Sequence, residues 1–171
     1  MAREIRLGQT TNADVYLEGN RHVGRIKEFG PDKIGYETVS HEALGMKIKI
    51  DLPGRTMEPL NASITFAWLE TDLLLRTLLP NRAVNFQFEQ FVDIFSAEGF
   101  ETGESYRLNT NVSLLFKSSS FDAFKNGEGM GIEHECSIIN WTMKSTESDG
   151  YLFEFAPLAN IARVGGQDVW S

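Results

Sequence analysis

Residues 83–95, AVNFQFEQFVDIF, alternate in polarity along nearly their whole length. Val84, Phe86, Phe88, Val92 and Ile94 fall on one side, with Gln90 as the exception. Asn85, Gln87, Glu89 and Asp93 fall on the other, interrupted by Phe91 and Phe95. A period of two sends successive side chains to opposite faces of a pleated strand, so this segment reads as a long, half-buried strand. Residues 105–117, SYRLNTNVSLLFK, repeat the pattern: Tyr106, Leu108, Val112, Leu114 and Phe116 oppose Arg107, Asn109, Asn111, Ser113 and Lys117. Between the two lies a polar stretch, residues 98–104, with two glycines. The spacing predicts a long antiparallel hairpin.

The rest of the chain follows the same period. Residues 14–17 read as a short strand, 18–20 as a tight turn, and 22–29 as its return strand, closed by Gly30-Pro31-Asp32. Residues 46–52 set Met46, Ile48 and Ile50 against Lys47, Lys49 and Asp51 and end at Pro53-Gly54; residues 62–68 place Ile64, Phe66 and Trp68 in phase. The last third supplies strands at 132–143, 151–155 and 160–164. Only residues 71–80 break the pattern clearly. A capping candidate, a leucine-rich interior and a closing proline predict a short helix over 72–79, its leucines covering an open end or face of the sheets. A weaker helical stretch is read at 121–125. About eight strands and one helix make a mainly β, antiparallel sandwich or barrel, and 171 residues suit a single domain, 1–171. Residues 30–45 lack clear periodicity, and a loop of that length in a compact domain is usually functional.

Charge narrows the function. The formal net charge is −8. Proteins that grip nucleic acid by its phosphates need clustered Lys and Arg, so this balance excludes a nucleic-acid-gripping domain. The acid is uneven: residues 1–55 net +1 and residues 56–171 net −9. A single cysteine, Cys136, excludes an internal disulfide framework. The first residues lack the apolar stretch of a signal peptide, and no apolar run approaches the roughly 18 residues of a membrane helix, so a cytosolic origin with no membrane anchor is expected.

Candidate chemistry is sparse. His134 and Cys136 share a strand face and offer two metal ligands, but a packed histidine and a buried thiol fit the same pattern. Ser118-Ser119-Ser120 reads as a polar turn. Gly127-Glu128-Gly129-Met130-Gly131 precedes a strand instead of a helix, lacks Lys and carries an acid, which argues against a phosphate loop. Glu133/Glu135 and Glu89/Asp93 are paired carboxylates that acid–base catalysis could use, but a solvated strand face is the better reading. Phe91 and Phe95 share a face with Glu89 and Asp93; Trp141 shares one, by simple alternation, with Glu133 and Glu135. Burial against another subunit and a second core layer under the helix both explain such apolar residues.

In order along the chain, several segments resemble one family. Residues 12–20 (Asn12-Ala13-Asp14-Val15-Tyr16-Leu17-Glu18-Gly19-Asn20) are similar to its opening strand and turn, and 22–29 to the return strand. Lys33-Ile34-Gly35-Tyr36-Glu37 with Ala43-Leu44-Gly45-Met46 is similar to its long loop. Residues 57–66 are similar to a strand entered from a Met-Glu turn, 72–79 to the helix after it, and 161–169 to the closing segment. The family is the major tail tube protein of contractile-tailed bacteriophages and R-type pyocins.

The resemblance implies a tail-tube fold, a sandwich whose inner sheets join across six subunits into a β-barrel ring. It implies a non-enzymatic structural subunit of the virion tail, assembled in the bacterial host cytoplasm, with no cofactor and no metal. Rings would stack through a protruding loop near 30–60, with Ile34, Tyr36, Glu37, Leu44, Gly45 and Met46 as its contact residues. Lys47, Lys49, Asp51, Asn85, Gln87 and Glu89 are candidates for the lumen lining; Phe91, Phe95 and Trp141 are candidates for inter-subunit packing. The implied partners are the sheath outside, baseplate and terminator proteins at the ends, and double-stranded DNA as a passenger during ejection. In a tail-like particle without a genome the tube would instead pierce an envelope. The competing expectation is a monomeric small-molecule-binding barrel or enzyme using His134 and nearby carboxylates.

Overall fold

The computed structural model describes residues 6–18, 20–21, 26–45, 47–68, 70–101 and 103–169. The strands are β1 (Leu7–Leu17), β2 (Asn20–Arg21), β3 (Ile26–Pro31), β4 (Tyr36–His41), β5 (Ile50–Met57), β6 (Asn61–Phe66), β7 (Val84–Ser96), β8 (Gly99–Phe100), β9 (Tyr106–Phe121), β10 (Ile132–Ser145), β11 (Tyr151–Ala156), β12 (Ile161–Val164) and β13 (Gln167–Asp168). One helix, α1 (Thr71–Thr77), lies between β6 and β7, and a single 3₁₀ turn (Pro157–Ala159) links β11 to β12.

The two alternating segments form the spine. β7 and β9 pair antiparallel from Val84↔Leu114 to Val92↔Tyr106. The order across the main sheet is β13-β12-β11-β10-β9-β7-β1-β2. β9 has 16 residues, about 50 Å of extended chain and far beyond the usual strand. Its length is used twice. The first half of β10, Ile132 to Ser137, gives its far edge to β6, which carries β3; the second half, Trp141 to Lys144, gives that edge to β11. Register shifts beside Lys117 of β9 and at Ile139 of β10 separate the halves. Extra residues of this kind bend and twist a strand, which lets one pair of strands serve two layers.

The core lies between those layers. Ile64 and Phe66 of β6, Val84 and Phe86 of β7, Leu114 and Phe116 of β9 and Cys136 of β10 are all buried. Phe29 of β3 stacks on Phe88 of β7 with ring centroids 4.4 Å apart, and Phe86 meets Phe116 edge-on at 6.5 Å.

Several expectations are corrected. The strand read at 14–17 starts at Leu7. Among the described residues its partner β2 pairs with Tyr16 and Leu17, and β3 joins β6 instead of returning along β1; residues 22–25, read as part of that return, lie outside the described residues. The strand placed at 46–52 begins at Ile50 and runs through Pro53-Gly54 to Met57. It pairs with β4, inside the stretch that looked aperiodic, and β4 and β5 form a two-stranded sheet of their own. Both strands are mostly exposed on both faces. A ribbon that buries neither face has no reason to alternate, and each of its strands is an edge that tolerates proline. Helix α1 stops at Thr77. Its cap position is Glu70, with no side-chain cap, and it buries Leu73 and Thr77 while Leu75, Leu78 and Leu79 stay exposed. Residues 122–125 form no helix, and Ser118-Ser119-Ser120 is strand, not turn.

Candidate functional site

The residues proposed for chemistry are built into the core or out onto solvent. His134 is fully buried, its Nδ1 2.7 Å from Ser119 Oγ and its ring edge-on to Phe66 and Phe116. Burial lowers its pKa from 6.5 to about 4, so the imidazole is neutral and out of reach of substrate. Burial pushes the Cys136 thiol up to about 12, far from the thiolate that would act as nucleophile or ligand. Among the described residues no group of three His, Cys, Asp or Glu could hold a metal ion. Glu133 and Glu135 point outward, and Ser118 Oγ donates to Glu135 at 3.0 Å. In the glycine turn, Gly131 N–H donates to the Asp122 carboxylate at 3.1 Å, so an acid occupies the position a phosphate would need.

Three surfaces remain. The first is the polar face of the main sheet. Directly paired residues share a face, and the registers give one row Asp14–Glu89–Asn109–Lys144. A second runs Tyr16–Gln87–Asn111–Thr142–Glu154–Arg163–Asp168 across six strands and into a seventh. A third is Asn85–Ser113–Asn140, where Ser113 Oγ donates to Asn85 Oδ1 at 2.5 Å. Amides fill the middle of this face. Gln87 donates to Glu89 at 3.2 Å, and Arg163 pairs with Glu154 at 3.5 Å.

The second surface is the end of that face. Phe95 is paired with both Leu7 and Phe100, and its ring lies 5.6 Å from that of Phe100. Leu7 and Phe100 are more than half exposed. Phe91, two pleat repeats away on the same face, sits under the Arg107 guanidinium at 4.6 Å.

The third is the β4–β5 arm. Val39↔Leu52 and His41↔Ile50 are opposed pairs, so these four share one face; Ser40 and Asp51 share the other. The base is fixed by Glu58 N–H donating to Gly35 O at 2.9 Å and by a 2.7 Å Lys33–Glu58 ion pair, which raises the lysine's pKa. Gly54 lies against β4 so closely that a Cβ there would sit 2.9 Å from the Glu37 carbonyl oxygen. At the tip Leu44 is fully exposed, Ile48 is 78% exposed, and Gly45 takes φ +89°, a left-handed conformation suited to glycine.

These placements sort the expected site residues. Ile34, Tyr36, Glu37, Leu44 and Gly45 all lie on the arm or its root; Met46 falls outside the described residues. The six lumen candidates separate: Asn85, Gln87 and Glu89 lie on the polar face of β7, Asp51 on β5, and Lys47 and Lys49 in the loop between β4 and β5, where Lys49 pairs with Glu42 at 2.7 Å. Trp141 is buried in the subunit's own core, edge-on to Phe153 at 4.9 Å, which corrects its reading as a surface for a neighbour. Ile139 is the reason: the bulge there reverses the alternation, so Glu133 and Glu135 point out while Trp141 points in. Leu7, Phe100, Val39 and Leu52 are exposed apolar residues that no sequence pattern singled out.

Comparison with known proteins agrees with this architecture. A family model described as phage tail tube protein FII matches residues 9–171. No curated protein sequence matches the chain. Among solved structures it is similar to a chain of the sheath–tube complex of an extracellular contractile injection system (PVC) in the extended state. That match has a TM-score of 0.53 and 14% identity, over 78% of this chain and 88% of that one. It is also similar to a chain of the sheath/tube terminator of such a system, with a TM-score of 0.52 and 12% identity over 77% and 92%.

Proposed function

The chain belongs to the phage tail tube protein FII family, a structural and non-enzymatic one, and from that membership we propose that six copies close into a ring and that rings stack into a hollow tube. The observation that carries the reading is the edge of β1: among the described residues, β7 covers one side of β1 from Leu7 to Leu17, and on the other side β2 pairs with Tyr16 and Leu17. A long open edge is an aggregation hazard in a free monomer and is removed when a barrel closes across subunits. The polar face of β1, β7, β9 and β10, with Asn85, Gln87 and Glu89 at its centre, then lines the channel. The β4–β5 arm, within the protruding segment near 30–60, reaches the next ring. Its contacts include Tyr36, Leu44 and Met46.

A sheath surrounds this tube, and terminator and baseplate proteins close its ends; the similarity to chains of a sheath–tube complex and of a sheath/tube terminator supports the sheath and the terminator. The tube is a component of a tail assembled in the host cytoplasm. Double-stranded DNA passes through it, or, in a genome-free particle, the tube pierces an envelope. Each ring carries six times the −8 of one chain. Such a field repels phosphate, so DNA travels through without being held. End-on cryo-electron micrographs of assembled protein test the proposal. Six-fold rings with an open centre are expected; a different symmetry, or protein that stays monomeric when seeded with preformed tube ends, overturns it.

A further inference from the structure

Two exposed apolar surfaces of this chain lie at opposite ends of the long strands. The root of the arm, Met57 to Leu60, packs beside Phe155, Pro157 and Ala162. Phe155 is in register with Trp141, Trp141 with Val112, Val112 with Phe86 and Phe86 with Leu17. The arm therefore leaves the body at the level where β1 ends and β7 begins. Leu7, Phe95 and Phe100 mark the other end of the same two strands. Helix α1, with its exposed leucines, is tied by the Arg76–Glu18 ion pair to the end from which the arm springs.

A shift of one copy along the strands thus brings its arm to the Leu7–Phe100 end of the next copy, not to the helix. The same shift repeated makes an open, head-to-tail series. Charge agrees. Residues 42–49, the tip between β4 and β5, contain Lys47, Lys49 and one carboxylate, Glu42, which pairs with Lys49 at 2.7 Å and leaves the positive sign of the tip to Lys47. Residues 97–105, the hairpin that carries Phe100, contain Glu98, Glu101 and Glu104 and no cation. Arg6 pairs with Glu104, which leaves the sign of the hairpin to Glu98 and Glu101. Apolar Leu44 and Ile48 stand among the lysines of the tip as Phe100 stands among the acids of the hairpin. Apolar anchors ringed by complementary charge are the usual form of a specific contact.

We propose that the acceptor for the arm is the β7–β8 end of a second copy, with Leu44 and Ile48 seated against Leu7 and Phe100 and with Lys47 and Lys49 facing Glu98 and Glu101. The inference rests on the stacked-ring reading and adds the receiving surface to it. The test is charge exchange in the full-length protein. Lys47→Glu/Lys49→Glu and Glu98→Lys/Glu101→Lys are each expected to raise the concentration needed for tube growth at least about tenfold. The quadruple variant, in which both signs are reversed, regains growth. All the substituted positions are at the surface, and unchanged circular dichroism and ring formation confirm folding. Leu44→Cys and Phe100→Cys chains, mixed and oxidised, form a 44–100 cross-linked dimer only within tubes. If wild-type protein forms tubes but Glu98→Lys/Glu101→Lys grows them as well as wild type, or the quadruple variant stays unassembled, the acceptor is elsewhere and the tube reading stands. If wild-type protein forms no tube at all, the tube reading itself fails.

Discussion

Acid should weaken the free subunit through one residue, His134. Its ring is fully buried between Phe66 and Phe116, and its folded pKa of about 4 lies below the 6.5 of an unfolded histidine. Between those values the unfolded chain binds a proton that the folded chain refuses, so stability is present in full above pH 6.5 and falls as pH drops toward 4. The gap of 2.5 pH units corresponds to about 3 kcal/mol in all, of which about 2 kcal/mol is lost between pH 7 and pH 5. Urea unfolding of the unassembled subunit at the two pH values measures it; with a slope of roughly 2 kcal/mol per molar the midpoint drops by about 1 M. Other groups titrate over the same range, so the control is Ser119→Ala/His134→Leu. This pair exchanges the 2.7 Å contact for apolar groups, leaves no polar atom stranded and keeps every other ionisable group. The double variant should lose about 2 kcal/mol less than wild type over that interval. Equal losses in the two proteins would refute the idea that a buried neutral imidazole sets the acid response.

Trp141→Ala should cost the isolated subunit about 3–5 kcal/mol in chemical denaturation, while Phe100→Ala costs under about 0.5 kcal/mol and acts on assembly instead. Gly54→Ala should force β5 away from the Glu37 carbonyl and disturb the arm; because β4 and β5 form their own sheet, the melting temperature of the main domain should hold within about 2 °C while tube growth falls. Tyr36→Ala/Met46→Ala should impair stacking, seen as short tubes or single rings by electron microscopy, with an unchanged circular dichroism spectrum.

How much of this was legible depended on burial. β7 and β9 were readable because one face of each meets the core, and a strand that hides one face must alternate. Val84, Phe86 and Phe88 are buried while Asn85 is exposed. The arm was not readable as strands. Val39 and Leu52 face no core, and Pro53 in the middle of β5 looks like a terminator unless the strand is known to lie in an exposed two-stranded ribbon. The lumen candidates show the same division. Asn85, Gln87 and Glu89 share one face of β7, as their spacing indicates, whereas Lys47, Lys49 and Asp51 were joined to them by polarity alone and lie in the arm, Asp51 on β5 and the two lysines in the loop before it.

Local alternation, turn chemistry and charge are properties of the chain, and the first two determined an antiparallel β fold with one short helix among the described residues. They say nothing about where alternation reverses. One extra residue, Ile139, turns Trp141 from the face of Glu133 and Glu135 into the core, and another shift beside Lys117 helps divide β9 and β10 between two layers. A bulge carries no signature in composition, because whether a residue is paired or extra depends on the partner strand and not on the residue. Which strand lies at an edge, and which end of the sheet the arm leaves, are likewise decided only when distant segments meet. For a subunit proposed to work by joining copies of itself, those edges and ends are where function would lie.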